Sequence, residues 1–231
     1  MTSPFLYLSG STNDALEARL IGAGVGLMNG PTCAYRPERV ARFPFWALDN
    51  GAFADRWCED DWIDWLGAQP TERCLFAVSP DVYPDARESL RRGLEYAPIL
   101  RDMGLPVACV AQDGAERLHW PFEEMDCVFI GGERRTPRSL EWKVSPEAHG
   151  LMSRARDAGK WVHVGRCNSL RAVEQARRAG ANSADGNFIG KAPETNLVRA
   201  LHWFDWLAMH SMLPMFRWET PAHANHRAVL A

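Results

Sequence analysis

Short apolar runs recur along this chain, each closing on Gly, Asp, Asn, Ser or another polar residue, and this recurrence constrains the fold more than any other feature. The runs are FLYLSG from Phe5, GVGLM from Gly24, FWALDNG from Phe45, CLFAVSPD from Cys74, PVACVAQDG from Pro106, CVFIGG from Cys127, WVHVGRC from Trp161 and the weaker ANSADGN from Ala181. Continuous apolar runs suit strands covered on both faces, as a parallel sheet requires. Between several of them lie helix-like stretches. Pro84 to Met103 places Ala86, Leu90, Leu94, Ala97 and Leu100 at helical spacing, and Pro146–Gly159, Ser169–Gly180 and Pro193–Met209 have the same character. Eight strands with intervening helices predict an α/β chain folded as a compact (β/α)8 TIM-like barrel, in which the Gly24 run is the least secure strand. No repeat or linker divides the chain. Residues 1–213 read as a single barrel domain and 214–231 as a loosely structured tail.

A length of 231 residues suits one such barrel, and 46% apolar with 24% charged residues is ordinary globular composition. No window approaches 18 uncharged apolar residues and the start, MTSPFLYLSG, has no basic region before its apolar run. These features predict neither a membrane span nor secretion, and hence a cytoplasmic protein. With 26 basic against 29 acidic residues the net charge is -3, which excludes nonspecific coating of nucleic acid and leaves only a local basic patch. The six cysteines lie more than ten residues apart, so no C-x-x-C redox or zinc knuckle exists, and they read as reduced thiols filling a core.

Polar residues gather where the runs end: Asp49, Asn50 and Gly51; Ser79 and Asp81; Gln112 and Asp113; Gly131 and Gly132; Gly165 and Arg166; Asp185. In a barrel these converge on the face that carries active sites. Asp49 and Asp185 form the natural reactive pair, since one ionised carboxylate can attack a sugar carbon while a second group manages the proton of the leaving group. The remainder suits a purine edge. Asp81 could accept from two ring donors, and the Gln112 amide and a Gly131–Gly132 backbone N–H could donate to a carbonyl. Phe53 is the stacking candidate, whereas Trp62, Trp65, Trp203 and Trp206 recur at a spacing of three that marks packed helix faces. Gly24-x-Gly26 falls short of a dinucleotide fingerprint. In ERRTPR, Arg134, Arg135 and Arg138 follow a strand end and, with Arg166, could grip phosphates.

Six of these segments occur in the order found in a known family: LDNGAF from Leu48, SPDVYPD from Ser79, VAQDG from Val110, FIGG from Phe129, HVGR from His163 and NSADG from Asn182. Together they resemble the tRNA-guanine transglycosylase superfamily, and most closely its DNA-directed branch in phages and bacteria, the deoxypurine-in-DNA protein A group. The resemblance covers roughly residues 45 to 190. It implies a pentosyltransferase that exchanges guanine in DNA for a free 7-deazaguanine base such as preQ0, with Asp185 as nucleophile on C1′ and Asp49 as general acid/base. It further implies that Asp81, Gln112 and Gly132 grip the base, that Asn50, Gly51 and Phe53 line the loop beside it, and that no cofactor is used. For a phage-encoded member the compartment would be the host cytoplasm.

The tRNA-modifying members carry a zinc site after the last strand, built from three cysteines and a histidine. Here no cysteine follows Cys167, and His223 and His226 alone cannot close a tetrahedral site, so no metal and no zinc-binding extension are expected. That departure disfavours tRNA as the partner. Three alternatives stay open: the same exchange on tRNA, a catalytically silent barrel that binds nucleobases or nucleic acid, and a hydrolase that uses the two carboxyls on a glycosidic bond. The oligomeric state is left undetermined.

Overall fold

The computed structural model describes residues 5–8, 14–33, 35–52, 57–132 and 142–211. All eight apolar runs form strands: β1 Phe5–Leu8, β2 Gly26–Asn29, β3 Trp46–Leu48, β4 Cys74–Val78, β5 Val107–Ala111, β6 Cys127–Ile130, β7 Trp161–Val164 and β8 Ser183–Gly186. Each pairs in parallel with the next, and β8 returns to β1 with Leu6 beside Asp185, closing the barrel. Only the β3–β4 pairing slips in register, between Trp46 and Leu48. The chain is thus an α/β protein built on a TIM-like parallel barrel.

Successive strand residues point to opposite faces, and the two faces bury different things. Leu27, Leu48, Ala77, Cys109, Val128, Ile130 and Val162 belong to the large cluster between strands and helices. Met28, Ala47, Phe76, Val78, Ala108, Val110 and Cys127 form a second cluster, the filling of the barrel itself. Phe76 meets Phe129 edge-on at 6.3 Å between centroids, so the lumen is packed rather than open. Four cysteines, Cys74, Cys109, Cys127 and Cys167, are buried as expected, Cys33 is half-buried, and Cys58 is exposed.

The long helix Ala86–Asp102 starts where Asp85 accepts from the Glu88 N–H, and helices Pro146–Asp157 and Leu170–Arg178 start on Ser145 and Ser169 in the same way. Further helices cover Asp14–Gly22, Glu59–Gly67 and Pro193–Ser211. The regular alternation expected from the sequence breaks between β5 and β6, where the described chain forms only the 3-10 turns Ala115–Arg117 and Phe122–Glu124. Trp120 closes that gap, donating from Nε1 to the Ala115 carbonyl at 2.9 Å. Among the described residues no helix is long and apolar enough to cross a membrane. The tail at 214–231 and the candidates Phe53, Arg134, Arg135 and Arg138 lie outside the described residues.

Ala86–Asp102 packs hard on β4 and β5 through Gly93. A Cβ there would stand 2.9 Å from Ser79 Oγ and 3.1 Å from Cys109 Sγ. Ser79 cannot swing away without giving up its bond to the Ala108 carbonyl. Gly93→Ala should therefore destabilise the barrel by about 1–3 kcal/mol, the range for overpacking, despite its better helix propensity. Thermal unfolding checks this, and an unchanged or higher Tm would show that the interface has slack.

Candidate active site

Strand alternation carries past the strand ends and selects the site. On β3 Ala47 faces inward and Leu48 outward, so Asp49 returns to the lumen, and Gln112 follows Val110 and Ala111 in the same way. On β7 and β8, Val162, Val164 and Ala184 pack outward, leaving His163, Ser183 and Asp185 for the interior. Asp49, Gln112 and Asp185 meet at a cavity of about 100 Å³ in the barrel mouth, whose wall also includes Asn50, Asp81 and Lys143, with His163 and Ser183 buried behind it. Gly131, Gly132 and Arg166 also line it. The structure thus brings Asp49, Asn50, Asp81, Gln112, Gly131, Gly132, Arg166 and Asp185 to one place, whereas Gly51, Ser79 and Asp113 do not line this cavity.

Asp185 is buried and held from two sides. Its Oδ1 accepts from the Arg166 backbone N–H at 3.1 Å and its Oδ2 meets His163 Nε2 at 2.9 Å. His163 is itself fully buried, with Nδ1 at 2.7 Å from Ser183 Oγ, and Trp161 Nε1 donates to that same oxygen at 2.8 Å. One proton arrangement satisfies every member: Trp161 N–H to Ser183, Ser183 O–H to Nδ1, and Nε2–H to Asp185. The imidazole in this chain is neutral, in keeping with burial pushing its pKa down against the upward pull of Asp185. Asp185 then only accepts hydrogen bonds, the pattern of a carboxylate.

Asp49 has the opposite character. Its pKa is pushed up to about 7, first by burial and then by repulsion from Asp185 and Asp81, which Arg166 and the Asn50 N–H offset only in part. It is half-buried, with part of its surface on the cavity wall, and desolvation is the largest cause of the shift. Its backbone N–H is fixed to the Asn29 carbonyl at 2.6 Å. Below about pH 7, then, Asp49 carries a proton, while Asp185 accepts hydrogen bonds from the protein.

The polar set opposite is braced internally. Asp81 accepts from Asn50 Nδ2 at 3.0 Å through Oδ1 and from Gln112 Nε2 at 2.8 Å through Oδ2. Gln112 Oε1 takes the Gly132 N–H at 2.9 Å, and the Gly131 N–H is bound to the Ala111 carbonyl at 2.9 Å. The expectation that a Gly131–Gly132 N–H donates to a ligand carbonyl is therefore corrected, because both are already engaged. Asn50 likewise serves as a brace, donating to the Ser79 carbonyl as well as to Asp81 and accepting from the Ala52 N–H. What remains for a ligand is the acceptor capacity left on Asp81 and the second Nε2–H of Gln112. Gly51 turns the chain here at φ +65, with Pro31 packed where a side chain would start.

Two residues of the site escaped sequence reasoning. His163 stood in a recognised motif without a role, although its inward parity between two outward valines was the available signal. Lys143, half-buried, donates from Nζ to the Gly165 carbonyl at 2.6 Å, and burial lowers its pKa. It follows a segment without periodicity and gave no signal. Among the described residues no group of three or more His, Cys, Asp or Glu side chains could hold a metal ion.

No protein-family model matches the sequence, and no curated protein matches it. Solved structures do share its barrel. A BexX/CysO complex from Amycolatopsis orientalis aligns over 91% of this chain and 90% of its own at 16% identity and a TM-score of 0.55. A mandelate oxidase variant with a C4a-OH-FMN adduct aligns over 90% of this chain and 74% of its own, at 15% identity and a TM-score of 0.61. A flavocytochrome b2 variant with benzoylformate aligns over 91% and 64%, at 14% identity and a TM-score of 0.59. These neighbours overturn the expected function. Mandelate oxidase variants among them are named as oxidases, not as pentosyltransferases, so the guanine exchange on DNA or tRNA, with its 7-deazaguanine acceptor, is withdrawn. At such identities the likeness itself fixes the fold alone.

Proposed function

We propose that this barrel is an acid–base hydrolase that cleaves a glycosidic bond in a small, polar substrate. The observation that carries the reading is the divergence of two carboxyls in one cavity: Asp49 raised to about 7 and Asp185 fixed as an acceptor by His163 and the Arg166 N–H. Environments that drive two carboxyls apart assign the acid and its partner. Asp49 delivers its proton to the leaving group as the glycosidic bond breaks, Asp185 places negative charge against the sugar carbon as positive charge develops there, and water then adds to that carbon and returns a proton to Asp49. His163 holds Asp185 in place, and Asp81 takes N–H or O–H donors of the substrate. The six ordered motifs are proposed as kinship of the scaffold with the transglycosylase superfamily, separate from its reaction.

A flavin oxidase of the kind named among the structural neighbours would need a mouth that tolerates the negative charge of a reduced ring. Asp49, Asp81 and Asp185 line this one, and carboxyls so placed oppose such charge. These residues do not fit FMN. The test is a panel of nucleosides and other N- and O-glycosides, followed by chromatography for free sugar, beside reconstitution with FMN followed by visible absorption. Release of free sugar that requires both Asp49 and Asp185, with no stoichiometric flavin retained, is the expected result. Bound FMN bleached by a 2-hydroxy acid would overturn the proposal.

A further inference from the structure

A second cavity of about 350 Å³ adjoins the mouth and shares Lys143, Gly165 and Arg166 with it. Its charge is of the other sign. Lys143, Arg166 and Arg171 line it, and no acidic residue does among those described, whereas the mouth has three aspartates. Val144, Val164, Ala172 and Ala176 supply apolar walls, which strengthen the attraction of the cations for an anion relative to open solvent. The first turn of the adjacent helix Leu170–Arg178 also carries no acid.

Arg166 stands on the boundary with φ +60, the left-handed region where glycine is far cheaper. Its backbone N–H serves Asp185, a task glycine would perform equally well, so an arginine at this strained position points to a use for the side chain. We infer that the second cavity is a subsite for a phosphate monoester carried by the substrate, whose scissile bond lies in the mouth. A half-open pocket of this size suits the terminal phosphate of a small molecule. Lys143 and the two arginines match the charge and donor geometry of phosphate. This inference rests on the hydrolase reading for the position of the scissile bond, but the phosphate preference is read by binding alone.

The probes are ribose and ribose 5-phosphate, titrated into the full chain by calorimetry, with inorganic phosphate as competitor. The phosphorylated sugar should bind at least tenfold more tightly than ribose, and inorganic phosphate should compete. Arg171→Ala, on an exposed helix position, and Arg166→Gly, which relieves the backbone, should each reduce that preference at least fivefold. A Tm for Arg166→Gly at or above that of the parent would show that its loss of binding is not a loss of fold. Equal binding of the two sugars, a preference that survives both substitutions, or tighter binding of an oligodeoxynucleotide without terminal phosphate would overturn the inference. If the sugar phosphate is preferred yet no glycoside is cleaved, the subsite stands and the hydrolase reading fails.

Discussion

Replacing Asp185 by asparagine should lower kcat/KM for glycosidic cleavage by about 10³–10⁴-fold, the scale of losing a positioned catalytic carboxylate. The amide keeps the shape but neither the charge nor the symmetry. Asp185 now accepts from the Arg166 N–H at one oxygen and from His163 at the other, and an amide nitrogen turned toward either would oppose a donor. The least costly repair moves the His163 proton from Nε2 to Nδ1, which in turn displaces the Ser183 hydroxyl proton from its acceptor. Nitrogen-15 spectroscopy of the imidazole should report that tautomer change alongside the kinetics. A variant within tenfold of the parent would remove Asp185 from the chemistry, and an unchanged tautomer would break the proton assignment of the chain from Trp161.

Asp49→Asn should abolish most activity and yet raise stability above neutral pH. The activity arm follows from the proton: with its pKa at about 7, Asp49 is a competent acid below that value, so the parent's kcat/KM should fall on an alkaline limb near 7 that the amide lacks. The stability arm follows from linkage. A carboxyl at 3.8 when unfolded and about 7 when folded binds more protons in the native state between those values. Stability is therefore lost as pH rises from about 4 through 7, and the full penalty stands above it. A shift of about 3 units corresponds to up to about 4 kcal/mol. At pH 8 the asparagine variant should melt on the order of 10 °C above the parent, and at pH 4 the two should coincide. A variant that is equally or less stable at pH 8 would mean that Asp49 is already solvated enough to ionise freely.

The strands were legible because the barrel covers both of their faces, which leaves runs such as PVACVA and CVFI with no polar interruption. Their parity was legible too, and it put Asp49, Gln112 and Asp185 into one mouth. What could not be read was how the polar groups partner one another. Gly132 looked like a ligand donor because a sequence shows capacity, not occupancy, and its bond to Gln112 spans 20 residues. Lys143 was invisible for a related reason, since its role depends on reaching the Gly165 carbonyl 22 residues away. The gap between β5 and β6 was hidden because its cover comes from Trp120 and two tight turns, without helical period. Function proved the least legible level: short ordered motifs suggested a reaction, while the barrel is shared with proteins named for different chemistry.

The bonds from Asn50 to Asp81, Asp81 to Gln112 and Gln112 to Gly132 join the ends of β3, β4, β5 and β6 in a single clasp across half the mouth. A change at Asp81 strands two amide N–H donors at once, and a change at Gln112 removes one of the two donors to Asp81 and strands a buried backbone N–H. Neighbouring steps are therefore interdependent, and a lineage altering what this mouth accepts would have to exchange the set together or pass through impaired intermediates. Arg171, in the neighbouring cavity, stands on an exposed helix position outside this clasp. Divergence among relatives of this chain should accordingly accumulate there first, with tail-group preference drifting while the ring-side grip stays frozen.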